Sequence, residues 1–294
     1  MKCISYLLGL CLLLLWSMVL AMPSCQDSLQ QGEFTAAIQS AHRALQTNTE
    51  PPVDTLLCLG RALRLNGDKA EALRVFQQAE TLAPDNSDKV IAAIFTGHLH
   101  KEAGGYARAR EHYQQAKHYA MLAGNVSMQR VADAFIGDVE WEQGKLDSAL
   151  EYYLDASKRD ANDHERAQSA ERIAKVYFQQ QAFGKAVEYQ LKAYLMQRQS
   201  GEFEDILRAG ILLGRYQLAD KNYLSAENVL SKTSALAQSQ NARLYEFQAL
   251  ILLIKVKQAQ DNNKDELAPY LKAALALAQG MQRDDLLREV LDLV

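Results

Sequence analysis

The 294-residue chain carries 32 basic and 36 acidic residues, a net charge of −4, with 48% hydrophobic and 23% charged residues. Apolar content this high with near-balanced charge excludes a disordered chain, and a slightly acidic balance offers no bulk attraction for nucleic acid. Four Cys are too few for a disulfide scaffold, and 5 Pro with 15 Gly leave little material for the turns of an all-β fold.

The first 24 residues read as an address. Lys2 gives a positive start, and Ile4 to Ala21 is an uncharged, almost wholly apolar run with Leu12, Leu13, Leu14 and Leu15 at its centre. Val19-Leu20-Ala21 fits the small-residue pattern of signal-peptide cleavage. Three fates follow from these residues. The segment is cleaved after Ala21, or it stays as a single membrane anchor of nearly the ~20 residues that span a bilayer. In the third, Met22-Pro23-Ser24-Cys25, which resembles a bacterial lipobox, directs lipidation of Cys25. Gln26 after that Cys resembles the outer-membrane sorting class. All three place the remainder outside the cytoplasm, periplasmic or secreted or held at a membrane as a lipoprotein. Loss of the leader removes Lys2 and no acid, so the mature chain is slightly more acidic.

Beyond the leader the chain repeats. Small residues at Gly60, Gly97, Gly137, Ala174 and Gly214 are spaced by 37, 40, 37 and 40. Twelve residues after each stands an Ala: Ala72, Ala109, Ala149, Ala186 and Ala226. Four further on come Phe76, Tyr113, Tyr153 and Leu230, with Gln190 the exception. Three further again are Ala79, Ala116, Ala156, Ala193 and Thr233. Intervals of three, four and seven are helical. Between the small residue and the Ala lies a turn signal, Asn66-Gly67, Gly104-Gly105 or Gln143-Gly144, where Gly supplies the left-handed conformation that ends a helix. The fourth and fifth units carry Gln181 and Lys221 instead. Each unit is therefore predicted to be a helical hairpin with small residues at the crossing. A lone hairpin cannot bury both faces, so the units stack.

This pattern resembles the tetratricopeptide repeat. The unit from Val53 to Asn86 carries Leu56, Leu59-Gly60, Leu63, Gly67, Ala72, Phe76, Ala79 and Pro84 in that family's order. The longer spacings resemble its longer-helix variety. The resemblance implies an all-α, right-handed α-solenoid of antiparallel hairpins. It divides the chain into a leader (1–24), a partial N-terminal capping repeat (25–52), about six repeats (53–280) and a C-terminal capping helix (281–294). The partial repeat rests on Gly32, Phe34, Ala37 and Ala44. The sixth repeat is diverged: Tyr270 and Ala273 fit its register, but Glu266 replaces the Ala.

In this family the first helix of each hairpin lines the concave side. The column directly after the small residue then reads Arg61, His98, Asp138, Lys175, Arg215 and Lys255. Neighbouring groove candidates are Arg64, Lys101, Trp141, Phe178 and Arg208. A basic groove with two aromatics suits an acidic peptide or a C-terminal carboxylate. The same column also reads as solvated helix faces. Trp141, the one Trp beyond the leader, reads as core filler or as a groove anchor. The Asn that accompanies Lys in the family's chaperone-binding subtype is absent from these columns.

Cys58 lies mid-helix between leucines and reads as a small buried thiol. A bridge to Cys25 is the other reading, permitted by an oxidising compartment. No pair among the six His has the spacing of a metalloprotease motif, and no nucleophile elbow or phosphate loop occurs. The sequence thus points to no catalytic residue, no metal and no cofactor. It points to a non-enzymatic scaffold or adaptor in the cell envelope, binding a protein or peptide segment. The alternatives are an assembly or biogenesis lipoprotein for a pilus or outer-membrane machine, and a self-associating repeat.

Overall fold

The computed structural model describes residues 23–260 and 264–293. The leader motifs up to Met22 lie outside the described residues, as does the Asp261-Asn262-Asn263 turn. Among the described residues all regular structure is helical. The helices are α1 (Cys25–Gln30), α2 (Phe34–Thr47), α3 (Pro52–Asn66), α4 (Lys69–Leu82), α5 (Asn86–Glu102) and α6 (Tyr106–Leu122). There follow α7 (Val126–Glu142), α8 (Leu146–Ser157), α9 (Asp163–Gln179), α10 (Phe183–Ser200), α11 (Phe203–Ala219), α12 (Tyr223–Ser239), α13 (Arg243–Ala259), α14 (Lys264–Gly280) and α15 (Asp284–Leu291). They form two compact units that divide between Ala123 and Gly124. In each unit consecutive helices pack as hairpins, and the hairpins stack as an α-solenoid.

The close approach of the two helices in a hairpin has one recurring cause. A Cβ added at Gly60 would lie 2.3 Å from the Phe76 ring. At Gly97 and Gly137 it would lie 2.5 Å from Tyr113 and Tyr153, and at Gly214 2.4 Å from Leu230. Each large side chain thus occupies the space that the missing Cβ leaves. The fourth repeat explains itself on the same terms. Ala174 carries a Cβ there, and its opposite number is the slender Gln190, buried with its Nε2 donating to the Ala209 carbonyl at 3.2 Å. The recurring alanines at 72, 109, 149, 186 and 226 are all fully buried, since any larger group would separate the axes.

The turns follow the sequence with one addition. Gly67, Gly104 and Gly144 adopt φ of 97°, 72° and 73°, and Gln181 and Lys221 adopt the same left-handed region at 58° and 59° despite their Cβ atoms. In each case the next amide reaches back to close the helix, as Lys145 N–H does to Glu140 O at 2.9 Å and Asn222 N–H to Gln217 O at 2.8 Å. Ala83, which precedes Pro84, leaves helical geometry with ψ 120°, so α4 stops at Leu82.

Three readings of the sequence are affected here. Cys58 is not a free thiol: it is bridged to Cys25, with 6.2 Å between the Cα atoms, and this ties α1 to α3. The bridge was one of the two readings open from the sequence, and the stacking of α1 on α3 brings the two sulfurs together. The second is lipidation of Cys25, which would need the sulfur that the bridge uses. Third, the sixth hairpin runs one residue later than the repeat register. Leu267 and Ala274 are the buried residues of α14, while Glu266 is exposed and Ala273 only half-buried.

In the second unit a buried ionic cluster pins the turn between α8 and α9. Arg159 reaches the fully buried Asp133 at 3.2 Å. Arg130 lies 3.7 Å from Asp160 and 3.4 Å from Glu165, and Ser169 donates to Asp160 at 3.0 Å.

Reduction of the bridge, or Cys58→Ser, is expected to lower the stability of α1–α3 by about 3–4 kcal/mol, the entropy returned to a loop of this length. Hydrogen exchange of these helices with and without reductant measures it. Gly137→Ala drives a Cβ into the Tyr153 ring and is expected to destabilise by about 1–3 kcal/mol, read from denaturant unfolding. Lys221→Gly relieves a left-handed side-chain clash and is expected to stabilise by about 0.5–1 kcal/mol in the same assay.

Candidate functional site

The predicted column is not one uniform basic stripe. In the first unit its charges are largely absorbed by the fold. Arg61 donates to Gln26 Oε1 at 3.2 Å and lies over the Phe95 ring at 5.7 Å. It lines a cleft of about 400 Å3 beside the disulfide, together with Glu50, Asp54 and Phe95. Arg64 is paired with Glu102, which also faces Lys69 at 3.5 Å. His98 Nδ1 is 2.6 Å from the hydroxyl of Tyr113, the residue that fills the space beside Gly97. Lys101 is half-buried near the end of α5.

The second unit repeats the His98 device. Tyr153, which packs against Gly137, donates its hydroxyl to Asp138 at 2.7 Å. Burial, reinforced by the Asp138 charge, raises the Tyr153 hydroxyl far above its ordinary range. Asp138 also accepts from Arg172 Nε at 3.3 Å. His98 and Asp138 therefore brace the hairpin crossing through their tyrosines, a role that their place in the groove column did not suggest.

The remaining candidates of this unit converge. On α7, Asp138 and Trp141 are three apart. On α9, Gln168, Glu171, Arg172, Lys175 and Phe178 follow at helical intervals, and on α11 so do Arg208, Leu212, Arg215 and Tyr216. Residues three and four apart share a helix face, so three neighbouring first helices present one surface. Two adjoining clefts open there. The smaller, about 310 Å3, is lined by Asp138, Gln168, Glu171, Arg172, Lys175 and Arg208. The larger, about 420 Å3, is lined by Trp141, Glu171, Lys175, Phe178, Gln179, Leu212, Arg215 and Tyr216. Glu171 and Lys175 belong to both.

The chemistry of the pair is mixed. Lys175 Nζ sits 3.2 Å from the centre of the Trp141 ring. Phe178 stacks on Tyr216 with ring centres 4.4 Å apart. Burial, helped by the nearby Glu171 carboxylate, pushes the Tyr216 hydroxyl up to about 12. Arg208 is held by Glu171 at 3.3 Å and Asp205 at 2.8 Å. Arg215 is exposed and forms no ion pair among the described residues. Four basic and two acidic side chains line the two clefts, a local charge of +2 in a chain of net charge −4. Lys255 lines neither cleft. Trp141 is half-buried: it packs against the cluster of Ala149, Tyr153, Ile173 and Val176 and also lines the larger cleft, so its position fits both readings.

Sequence reasoning missed Glu171, Arg172, Leu212 and Tyr216. The signal was present for Glu171 and Arg172, which precede Lys175 by four and three residues on its own helix face. Among the described residues no group of three His, Cys, Asp or Glu is placed to hold a metal ion.

Comparison with known proteins bears on this scaffold. The tetratricopeptide-repeat family model matches residues 25–87 and 136–202. Cellulose synthase 1 operon protein C of Komagataeibacter xylinus is 29% identical over 143 residues, 47% of this chain. The match spans only 10% of that much longer protein. A signal-transduction ATPase with a tetratricopeptide-repeat sensor from Pyrococcus horikoshii superposes with a TM-score of 0.74 at 18% identity, over 90% of this chain and 43% of that one. The apo form of RapI superposes at 0.73 and 14% identity, over 92% and 77% of the two chains. A Rap protein complexed with Competence and Sporulation Factor superposes at 0.59 and 14%, over 90% and 78%. The chain is thus an all-α solenoid of fifteen described helices with Gly-to-aromatic crossings, and residues 25–87 and 136–202 are similar to the tetratricopeptide repeat.

Proposed function

We propose that this protein is an exported interaction scaffold that captures an acidic peptide segment of another envelope protein on the α7–α9–α11 surface. The observation that carries the reading is convergence: Trp141, Lys175, Phe178 and Arg215, dispersed over 75 positions, line a single cleft. Its surplus of positive charge suits side-chain or terminal carboxylates, and Arg215 is placed to pair with one. The apolar wall gives the backbone of a bound segment something to exclude water against. Helices packed at their crossings hold the surface ready, so little ordering is required of the receptor on binding. A ligand-binding role is in keeping with the fold: a Rap protein of similar fold is found complexed with Competence and Sporulation Factor.

Export rests on the uncharged apolar leader after Lys2 and is supported by the Cys25–Cys58 bridge, a bond that persists in oxidising compartments. Because that bridge uses the Cys25 sulfur, it favours a cleaved, unlipidated chain over the lipoprotein alternative.

Charge reversal by Lys175→Glu together with Arg215→Glu is expected to weaken capture of acidic peptides at least ~10-fold, the scale of one lost charge-assisted contact. Both side chains are exposed, so the circular dichroism melt is expected to stay unchanged. Isothermal titration with the paired proteins measures the affinity, and equal affinities would reject this surface as the binding site.

A further inference from the structure

The larger cleft carries more information than its charge. One wall is Trp141, Phe178, Leu212 and Tyr216; the rim carries Lys175 and Arg215. Its volume of about 420 Å3 falls in the range of sites that enclose a compact ligand group, about 300–1,000 Å3. Tyr216 and the inner parts of Phe178 and Trp141 pack into the core, but both Phe178 and Trp141 stay partly exposed and give the cleft an apolar wall that electrostatic capture of acids does not call for. The ring face of Trp141 is covered by the Lys175 ammonium at 3.2 Å, the cation–π arrangement that an exposed lysine forms with the richest available π face. The indole Nε1 of Trp141 is buried without an acceptor among the described residues, so packing alone sets the ring's orientation. Phe178 and Tyr216 are fixed against each other, by contrast, and Phe178 is further tilted against Phe183 at 5.5 Å.

We infer that this cleft selects an aromatic side chain placed next to a carboxylate in the bound peptide, and that Lys175 changes partner when it enters. The inference rests on the peptide-binding reading above and specifies its ligand. An entering aromatic ring takes the indole face and lies against Phe178 and Leu212. The displaced Lys175 ammonium turns to the neighbouring carboxylate, which Arg215 meets from α11. The ammonium leaves a π face and gains a charge-assisted hydrogen bond. The aromatic residue is worth affinity because it removes its own surface and the exposed parts of Trp141 and Phe178 from water.

The test uses the full chain carrying Trp16→Phe, so that the indole emission belongs to Trp141. Three peptides of one length are titrated: acidic with a central Phe, acidic with Ala in its place, and the Phe peptide with its acids replaced by amides. The acidic Phe peptide is expected to bind about 10-fold more tightly than the Ala peptide and to shift Trp141 emission, while the amide peptide binds weakly. Lys175→Gln, a change at an exposed position, is expected to weaken both acidic peptides while the preference for Phe over Ala persists. Trp141→Leu is expected to abolish that preference. Equal affinities for the Phe and Ala peptides would overturn the aromatic selection yet leave the acidic groove standing. Absence of binding by either acidic peptide would overturn the groove reading and this inference with it. An unmoved Trp141 emission on tight binding of the Phe peptide would overturn the partner exchange at Lys175.

Discussion

The interaction on which the rest depends is a contact between two positions sixteen residues apart. A missing or minimal Cβ on the first helix of a hairpin admits a large side chain from the second. Gly60 with Phe76, Gly97 with Tyr113, Gly137 with Tyr153 and Gly214 with Leu230 are four solutions, and the fourth repeat departs from them with Ala174 and a buried Gln190 at the same two positions. The depth of this contact sets how closely the helices approach, and their approach sets which faces remain to be covered by the next hairpin. Burial of an alanine four residues before the large side chain follows from the same closeness.

This constraint reaches into the proposed binding surface. The residue after the small one points along the first helix toward the same crossing, so in two repeats it is recruited by the tyrosine that fills the gap. His98 and Asp138 take up the hydroxyls of Tyr113 and Tyr153. Where the large residue lacks a hydroxyl, no such partner exists, and the column residue is left to other work. Lys175 follows Ala174, whose partner is Gln190, and Arg215 follows Gly214, whose partner is Leu230. These are the two cations of the column that line the aromatic cleft. The chemistry of the crossing thus recruits His98 and Asp138 to brace the fold.

Much of the architecture was legible in one dimension because its causes are local and periodic. The Ala twelve residues after each small position, the turn glycines and the aromatic four beyond are features of single hairpins, and short separations make them visible as spacing. The sixth hairpin marks where this fails: on α14 Leu267 and Ala274, not Glu266 and Ala273, are the buried residues. The site was legible only as a list. Basic character at Arg61, Arg64 and Arg208 was apparent, but Glu102, Gln26, Glu171 and Asp205, which engage them, come from other helices or were passed over.

By itself the sequence determined that this chain is a stack of helical hairpins, because hydrophobic period, small residues and turn residues act within each repeat. Tertiary structure decided the rest. It brought Cys25 to Cys58 across 33 positions and gathered Trp141, Lys175, Phe178 and Arg215 from three hairpins into one cleft. It also placed enough acids among the cations to leave a modest surplus of charge. The reason is that hairpin formation depends on near neighbours along the chain, whereas a groove and its net charge depend on which faces separate hairpins turn toward each other, and that is set by how deeply each crossing packs.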